Sequence, residues 1–306
     1  MSAPTAPRVS VIVPVYQSEA TLGRCLDALG AQTFQDFEAI FVDSSPDEAS
    51  ARLLARRTEP WLRVERSTKR LWMHAARNLG VRLSRGEVVV FTDPDCVPEP
   101  VWLEELLKTL EEGPAAAGPV ACYPGGPLEM AAHLVKYWAW LPTTSAGPIV
   151  STATANLAVK RATFETLGGF SEDYVSADAL LGVRLAALGY PAWNNPRALI
   201  RHIHHGVTVR GLVRERFARG RDFGLMRSSL PGWNRIKSLL LVLAVPVLSL
   251  AHLGRDLVKY AARRHFLRSI PAIPVLLACE TSWMLGQGSA CCDHLRGMAR
   301  ATLTDA

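Results

Sequence analysis

Two carboxylates one residue apart, Asp93 and Asp95, close an unbroken apolar run from Val88 to Phe91 within EVVVFTDPDCVPE, residues 87–99. Oxygen ligands of this kind suit hard divalent cations, and Mg2+ or Mn2+ commonly bridges such carboxylates to a substrate's phosphates. The plainer reading is local: Asp93 opens a turn and Asp95 helps cap the helix after Pro100. Three further polar residues sharpen the chemistry. Tyr16 and Asp43 each stand where an apolar segment runs out, and Arg77 sits in a helical stretch. Asp43 is suited to accept hydrogen bonds from a base imide, Tyr16 to flank or stack on it, and Arg77 to neutralise phosphate. Singly, each has an ordinary alternative: a helix cap, half-buried packing, a solvated helix residue. Together they point to one crevice.

The elements that position them read as alternating strands and helices. A buried strand reads as a short continuous apolar run. Val9 to Tyr16, Phe37 to Val42 and Val88 to Phe91 fit that pattern, with a shorter strand near Leu62 to Glu65. Helical stretches fall at Ala20 to Leu29, Asp47 to Arg57, Leu71 to Leu83 and Trp102 to Leu110. Such alternation predicts an α/β fold with a parallel sheet and helices on both faces. Ligands of open α/β sheets bind beyond the carboxyl ends of the strands, where these polar residues fall.

The 306 residues suffice for one large α/β domain and an appendage, and 49% hydrophobic content supplies a core. A net charge of +6 suits phosphate ligands or an anionic membrane surface, and no long basic tract argues for nucleic acid. The six cysteines show no Cys-x-x-Cys pair and no framework spacing, which predicts a reducing, cytoplasmic setting. MSAPTAPRVS lacks the apolar core of a signal peptide.

VSVIVPVYQSEATLGRCLDAL, FEAIFVDSS, AARNLGVRLSRGEVVVFTDPDCVP and the later LGGF resemble, in order, a family 2 glycosyltransferase of the GT-A fold, over about Val9 to Arg221. The resemblance implies a Rossmann-like, mostly parallel central sheet flanked by helices, followed here by an apolar helical C-terminal region. It implies an inverting transfer from a nucleotide-diphospho-sugar with Mg2+ or Mn2+ as cofactor. By the same resemblance Pro14, Tyr16, Asp43, Arg77 and Asp93 bind the nucleotide-sugar. Asp93 and Asp95 form the metal–diphosphate motif. Asn156 takes the place of an acceptor-side Asn, and Gly168-Gly169-Phe170 is a tight turn. The family's general base falls, in the register fixed by Arg184-Leu185, on Asp178. Its usual acidic neighbours are replaced by Ala177 and Leu180, and Asp173 is the reserve candidate. Ala131 to Trp140 reads as an acceptor-groove wall or as a core helix.

Arg201-His202-Ile203-His204-His205 is unusually rich in histidine. On a strand His202 and His204 share a face, and either can complete the metal site, with His204 preferred. Arg210 to Arg221 reads as a basic helix whose Arg216 and Arg221 reach the leaving diphosphate, or as a basic face on an anionic membrane. Ser238 to Gly254 is uncharged but short for a span and interrupted by Pro246; Ile270 to Cys292 is a second apolar run containing Glu280. The intervening Arg255, Lys259, Arg263, Arg264 and Arg268 argue against a hairpin that places them outside the cytoplasm. The expectation is a tail lying in the cytoplasmic leaflet, near a lipid-linked or saccharide acceptor of the cell envelope. The division expected is 1–230 (halves 1–113 and 114–230) and 231–306. The alternative function is a catalytically impaired nucleotide-sugar-binding partner. A nicotinamide enzyme is disfavoured, since Pro14-Val15-Tyr16 stands where the Gly-x-Gly-x-x-Gly turn belongs.

Overall fold

The computed structural model describes residues 6–261 and 273–297. The chain forms two compact units. The first holds residues up to Tyr123, Ala139–Glu172 and Ala177–Ile203; the second holds Pro124–Trp138, Asp173–Ser176 and the chain from His204 on.

In the first unit β1 (Val9–Val15), β2 (Phe37–Asp43), β3 (Leu62–Arg66) and β4 (Val88–Phe91) run parallel in the order β3-β2-β1-β4. The sheet continues through β9 (Leu157–Lys160), antiparallel to β4, then β6 (Ala115–Ala117), β10 (Ala192–Asn194) and β8 (Gly147–Ile149). Every residue of β1, β2 and β4 is buried, which is why these strands read as continuous apolar runs rather than alternating ones. The helices α1 (Glu19–Gly30), α2 (Ala49–Ala55), α3 (Met73–Leu83) and α4 (Trp102–Thr109) follow the strands as expected. The fold is therefore α/β, with a large, mostly parallel central sheet flanked by helices. A second sheet, β5 (Cys96–Pro98), β11 (Ile200–His202) and β7 (Val120–Cys122), pairs in the order β5-β11-β7. After α6 (Arg161–Thr166), Gly168 and Gly169 take φ of +75° and +72°, a left-handed turn where a Cβ is disfavoured. At Gly169 a Cβ would also crowd Asn78 Oδ1 at 3.0 Å. α7 (Ala177–Ala187) comes next.

The second unit is helical. α5 (Pro127–Tyr137) buries Ala131, Ala132, His133, Leu134 and Val135, so this stretch follows the core-helix reading. α8 (Val209–Ser228) and α10 (Ile273–Arg296) meet backbone to backbone: a Cβ on Gly286 would lie 2.2 Å from the Phe217 carbonyl oxygen. α9 (Arg235–Ala261) runs unbroken through Pro246. It buries Ser238, Leu241, Val245 and Ser249, and exposes Ile236, Leu240, Leu243, Val247 and Leu250 on the other face. Among the described residues one helix segment, 235–255, is long and apolar enough to cross a membrane. Arg263, Arg264, Arg268 and the side chain of Lys259 lie outside the described residues.

Candidate active site

β4 delivers Asp93 and, through a short turn into β5, Asp95. The two carboxylates are held differently. Arg77, buried on α3, donates through Nη2 to Asp93 Oδ1 and lies 3.5 Å from His74 Nδ1. Burial raises the Asp93 pKa, Arg77 opposes that rise, and Asp95 adds to it. Asp95 faces His202, whose Nε2 lies 3.2 Å from Oδ2. Pairing of β5 with β11 sets this contact, since His202 stands opposite Cys96 in the register. The backbone reinforces it: the Ile203 N–H donates to the Asp95 carbonyl at 2.7 Å. Beneath them lie two buried thiols, Cys25 and Cys96, pushed up by burial and by the neighbouring carboxylates.

The ligand atoms of Asp95, Cys96 and His202 lie within 4.8 Å of one another. A carboxylate oxygen and an imidazole nitrogen at this spacing fit Mn2+, and the carboxylate alone suits Mg2+. His204, the other expected ligand, lies beyond the strand that carries His202. β11 ends at His202, so period-two alternation does not carry on to His204, and His204 Nε2 instead lies 3.2 Å from His133 Nδ1 on α5.

Pro14, Tyr16 and Asp43, expected on the nucleotide side, lie toward the ends of β1 and β2. Pro14 lies within β1 opposite Val42. Asp43 is fully buried and accepts from the Ser45 N–H at 2.9 Å and Arg66 Nη1 at 3.3 Å. Tyr16, just past β1, is exposed and carries the Arg70 guanidinium 4.7 Å from its ring centroid; Trp72 lies 4.5 Å from the same group. Sequence reasoning passed over Arg70, although a lone Arg two residues before Trp72, facing an exposed Tyr, is a recognisable cation–π pattern.

Asp178 is tied to this edge by a short chain of hydrogen bonds. Thr92, next to Asp93, donates through Oγ1 to the Ala155 carbonyl at 2.9 Å, and the N–H of neighbouring Thr154 donates to Asp178 Oδ2 at 3.3 Å. Thr152 Oγ1 holds the Asp178 carbonyl at 2.6 Å. The reserve candidate, Asp173, is exposed in the loop before α7. Asn156 is only 1% exposed: it accepts from Trp102 Nε1 at 2.8 Å and donates to the Pro119 and Ala198 carbonyls at 3.0 and 2.7 Å.

In the second unit Arg216 is buried against Glu280 at 3.2 Å and stacks over Trp283 at 4.3 Å. Arg221 pairs with Asp293 at 2.6 Å and donates to Ser289 Oγ at 2.9 Å. Both arginines thus contact α10.

The family model for glycosyl transferase family 2 matches residues 10–160, the stretch that contains β1 to β9 and both site aspartates. The chain belongs to glycosyl transferase family 2. Glycosyltransferase AglE of Haloferax volcanii is 31% identical over 110 residues, 35% of this chain and 36% of that protein. The chain therefore spans about a third of the length of that curated relative. Among solved structures, the mannosyltransferase PcManGT of Pyrobaculum calidifontis, in complex with GDP-Man and Mn2+, matches with a TM-score of 0.53 at 21% identity. That match covers 97% of this chain and 77% of the other. TarS 1–349 of S. aureus, in complex with UDP-GlcNAc, gives 0.52 at 15% identity over 96% and 93%. These likenesses agree with the GT-A fold.

Proposed function

We propose that this family 2 chain transfers a glycosyl group, with inversion, from a nucleoside-diphosphate sugar to an acceptor hydroxyl. The observation that carries the reading is the pairing of Asp95 with His202, beside an Asp93 already neutralised by Arg77. Asp93 is thus held by Arg77, while the Asp95 side chain stays partly exposed to solvent. Asp95 and His202 would hold a divalent cation, Mn2+ or Mg2+, which when bound offsets negative charge on the diphosphate. Tyr16 and Asp43 flank the base, and Arg77 fixes Asp93 at the diphosphate end. Asp178 accepts the proton from the acceptor hydroxyl as that oxygen bonds to the anomeric carbon from the face opposite the leaving group. The bond from the anomeric carbon to the phosphate oxygen breaks, and the nucleoside diphosphate leaves with the electron pair. Asn156 is given a positioning role, because its amide is spent on three protein partners. Arg216 and Arg221 are left out of the donor reading, since Glu280 and Trp283 hold the first and Asp293 and Ser289 the second.

The acceptor is proposed to be lipid-linked or a saccharide at the cytoplasmic face of the membrane, in envelope glycan or glycolipid synthesis. Support comes from α9, whose exposed apolar stripe runs along one face only while α10 buries Glu280 and Gln287. A helix of that kind suits lying in the interface better than spanning it. The replacement of the acidic neighbours of Asp178 by alanine and leucine keeps a second reading in play, a nucleotide-sugar-binding partner without turnover.

Thermal unfolding with UDP-, GDP- and dTDP-sugars, each with and without Mn2+, tests the first reading. One donor class should stabilise the protein by about 2.7 kcal/mol at a hundredfold excess over its Kd, and Mn2+ should enlarge the effect. Indifference to every donor removes the assignment; stabilisation without any donor turnover favours the second reading.

A further inference from the structure

Where α8 gives way to α9, the helical unit carries a cation that the fold leaves without an acid. Arg227 stands in the last turn of α8, its guanidinium 4.7 Å from the ring centroid of Trp233 and 5.7 Å from that of Phe223. Its Nε and Nη2 are buried and have no hydrogen-bond partner among the described residues. A buried donor without an acceptor is costly, the more so when charged. A cation is favoured at a helix C-terminus, but the last carbonyls of α8 are engaged elsewhere. Ser228 Oγ and Ser229 Oγ donate to those of Leu225 and Met226 at 2.8 and 2.6 Å, and the Leu230 N–H donates to that of Arg227 itself at 3.1 Å. Burial pulls the Arg227 pKa below the usual arginine value, and Cys291 rather than a carboxylate opposes the shift. The residue keeps part of its surface open, so an acceptor from outside can reach it.

The surroundings are basic and apolar at once. The sequence holds no Asp or Glu between Asp222 and Asp256. Arg235 and Lys237 open α9 and stand exposed. Arg235 donates to the Leu295 carbonyl and Lys237 Nζ to the Gly232 carbonyl, so neither charge meets an acid among the described residues. Asp293 of α10 is held by Arg221 at 2.6 Å. Trp233 ties Arg227 to the first turn of α9, since its Nε1 donates to Ser238 Oγ at 2.9 Å. The apolar stripe of α9 starts in the same place, with Ile236 and Leu240 69% and 59% exposed.

We propose that Arg227 is the phosphate contact of a docking site for anionic phospholipid, in which Arg235 and Lys237 add charge and Ile236 and Leu240 enter the acyl boundary. A guanidinium presents a planar fork of donors that matches phosphate oxygens. Cations beside an anionic leaflet draw a protein to it while apolar residues of the same turn insert. The site rests on the reading of α9 as an interfacial helix, and goes beyond it by naming the headgroup chemistry and the residue that reads it.

Arg227→Met tests it on the full chain, with vesicles of phosphatidylcholine alone and of phosphatidylcholine mixed equally with phosphatidylglycerol. Met fills the space between the two rings without a charge. The parent should bind the mixed vesicles more tightly than the neutral ones. Arg227→Met should bind the mixed vesicles about fivefold more weakly, the share of one cation beside an anionic surface, and the neutral vesicles as the parent does. Its urea midpoint without lipid should match or exceed the parent's, because a desolvated charge has been removed. Arg82→Gln removes an exposed cation from α3 and lowers net charge equally; it should weaken binding far less. If Arg227→Met binds the mixed vesicles as the parent does, or if Arg82→Gln costs as much, Arg227 reads no headgroup. A lower urea midpoint with unchanged binding assigns Arg227 to the fold instead. Should Arg227→Met not fold, Arg227→Gln and Arg227→Lys repeat the contrast, with Lys recovering the binding that Gln loses. If the parent binds neither vesicle, the interfacial reading of α9 fails; if it binds both equally, that reading stands and the phosphate site falls. Excess glycerol 3-phosphate that raises the Tm of the parent but not of Arg227→Met, with vesicle binding indifferent to the change, would make this a site for free phosphate and overturn the lipid assignment.

Discussion

In the strand-bearing unit Asp95 meets His202 with 34% of its side chain still open to solvent. In the helical unit Glu280, 1% exposed, is enclosed by Arg216, His252 and Arg255. Both are carboxylates facing basic groups, yet they differ in what remains available. A carboxylate offers about four lone-pair directions. Asp95 stays partly exposed, so an outside ligand can reach it. Glu280 has its directions filled from α8 and α9, and its charge serves to join helices. By sequence alone Arg216 looks as ready for a phosphate as Arg77 does. In the fold each is buried against a carboxylate, Arg77 against Asp93 and Arg216 against Glu280.

The sharpest way to break this comparison is to remove one carboxylate from each unit. Asp95→Asn should leave the unliganded protein's stability within about 0.5 kcal/mol, while lowering turnover on the order of a hundredfold to a thousandfold. Glu280→Ala should do the reverse. Taking one partner from a buried ion pair costs about 3–5 kcal/mol because the other charge is stranded. Turnover per folded molecule should hold. Urea unfolding and donor hydrolysis on both variants decide the matter, and a Glu280→Ala protein that is stable but inactive would erase the distinction.

A second prediction concerns the apolar surface that only the helical unit carries. Leu243 and Val247 are 68% and 69% exposed. If α9 lies in the interface, high salt or alkali should release the protein from membranes. Replacing Leu243 by Asp should weaken vesicle binding without altering donor hydrolysis in solution. Resistance to both treatments would mean that α9 spans the bilayer.

What the sequence revealed follows from how each element is buried. β1, β2 and β4 are covered on both faces, so they appear as Val- and Ile-rich runs, each followed or closed by polar residues. The three-residue strands β5, β6, β7, β8, β10 and β11 carry no such pattern, because three positions cannot establish a period. The second sheet, which brings His202 to Asp95, pairs residues about a hundred positions apart. Nothing local distinguishes His202 from His204 unless the end of β11 is known. The partner of Arg216 was equally hidden, since Glu280 lies 64 residues on, a single acid in an otherwise apolar run.

The mildest test lies between these extremes, at a charge neither open nor enclosed. Glu215 on α8 pairs with Lys136 of α5 at 3.1 Å and with Arg219 at 2.9 Å, with 35% of its side chain exposed. Burial alone would raise its pKa, but Lys136 and Arg219 outweigh that and bring it down to about 2. An unfolded Glu titrates near about 4.3. A folded-state pKa below the unfolded one means that the unfolded chain binds the proton first. The pairing therefore contributes its full stability above about 4.3 and loses it as pH falls toward about 2. Solvent screening at this exposure limits the contribution to about 1 kcal/mol or less. Glu215→Gln should accordingly be slightly less stable than the parent in urea at neutral pH, with a gap that narrows steadily on acidification. A gap that stays constant with pH would assign the loss to packing of the side chain rather than its charge, and Glu215 would then belong with the enclosed group at Glu280 as a structural contact.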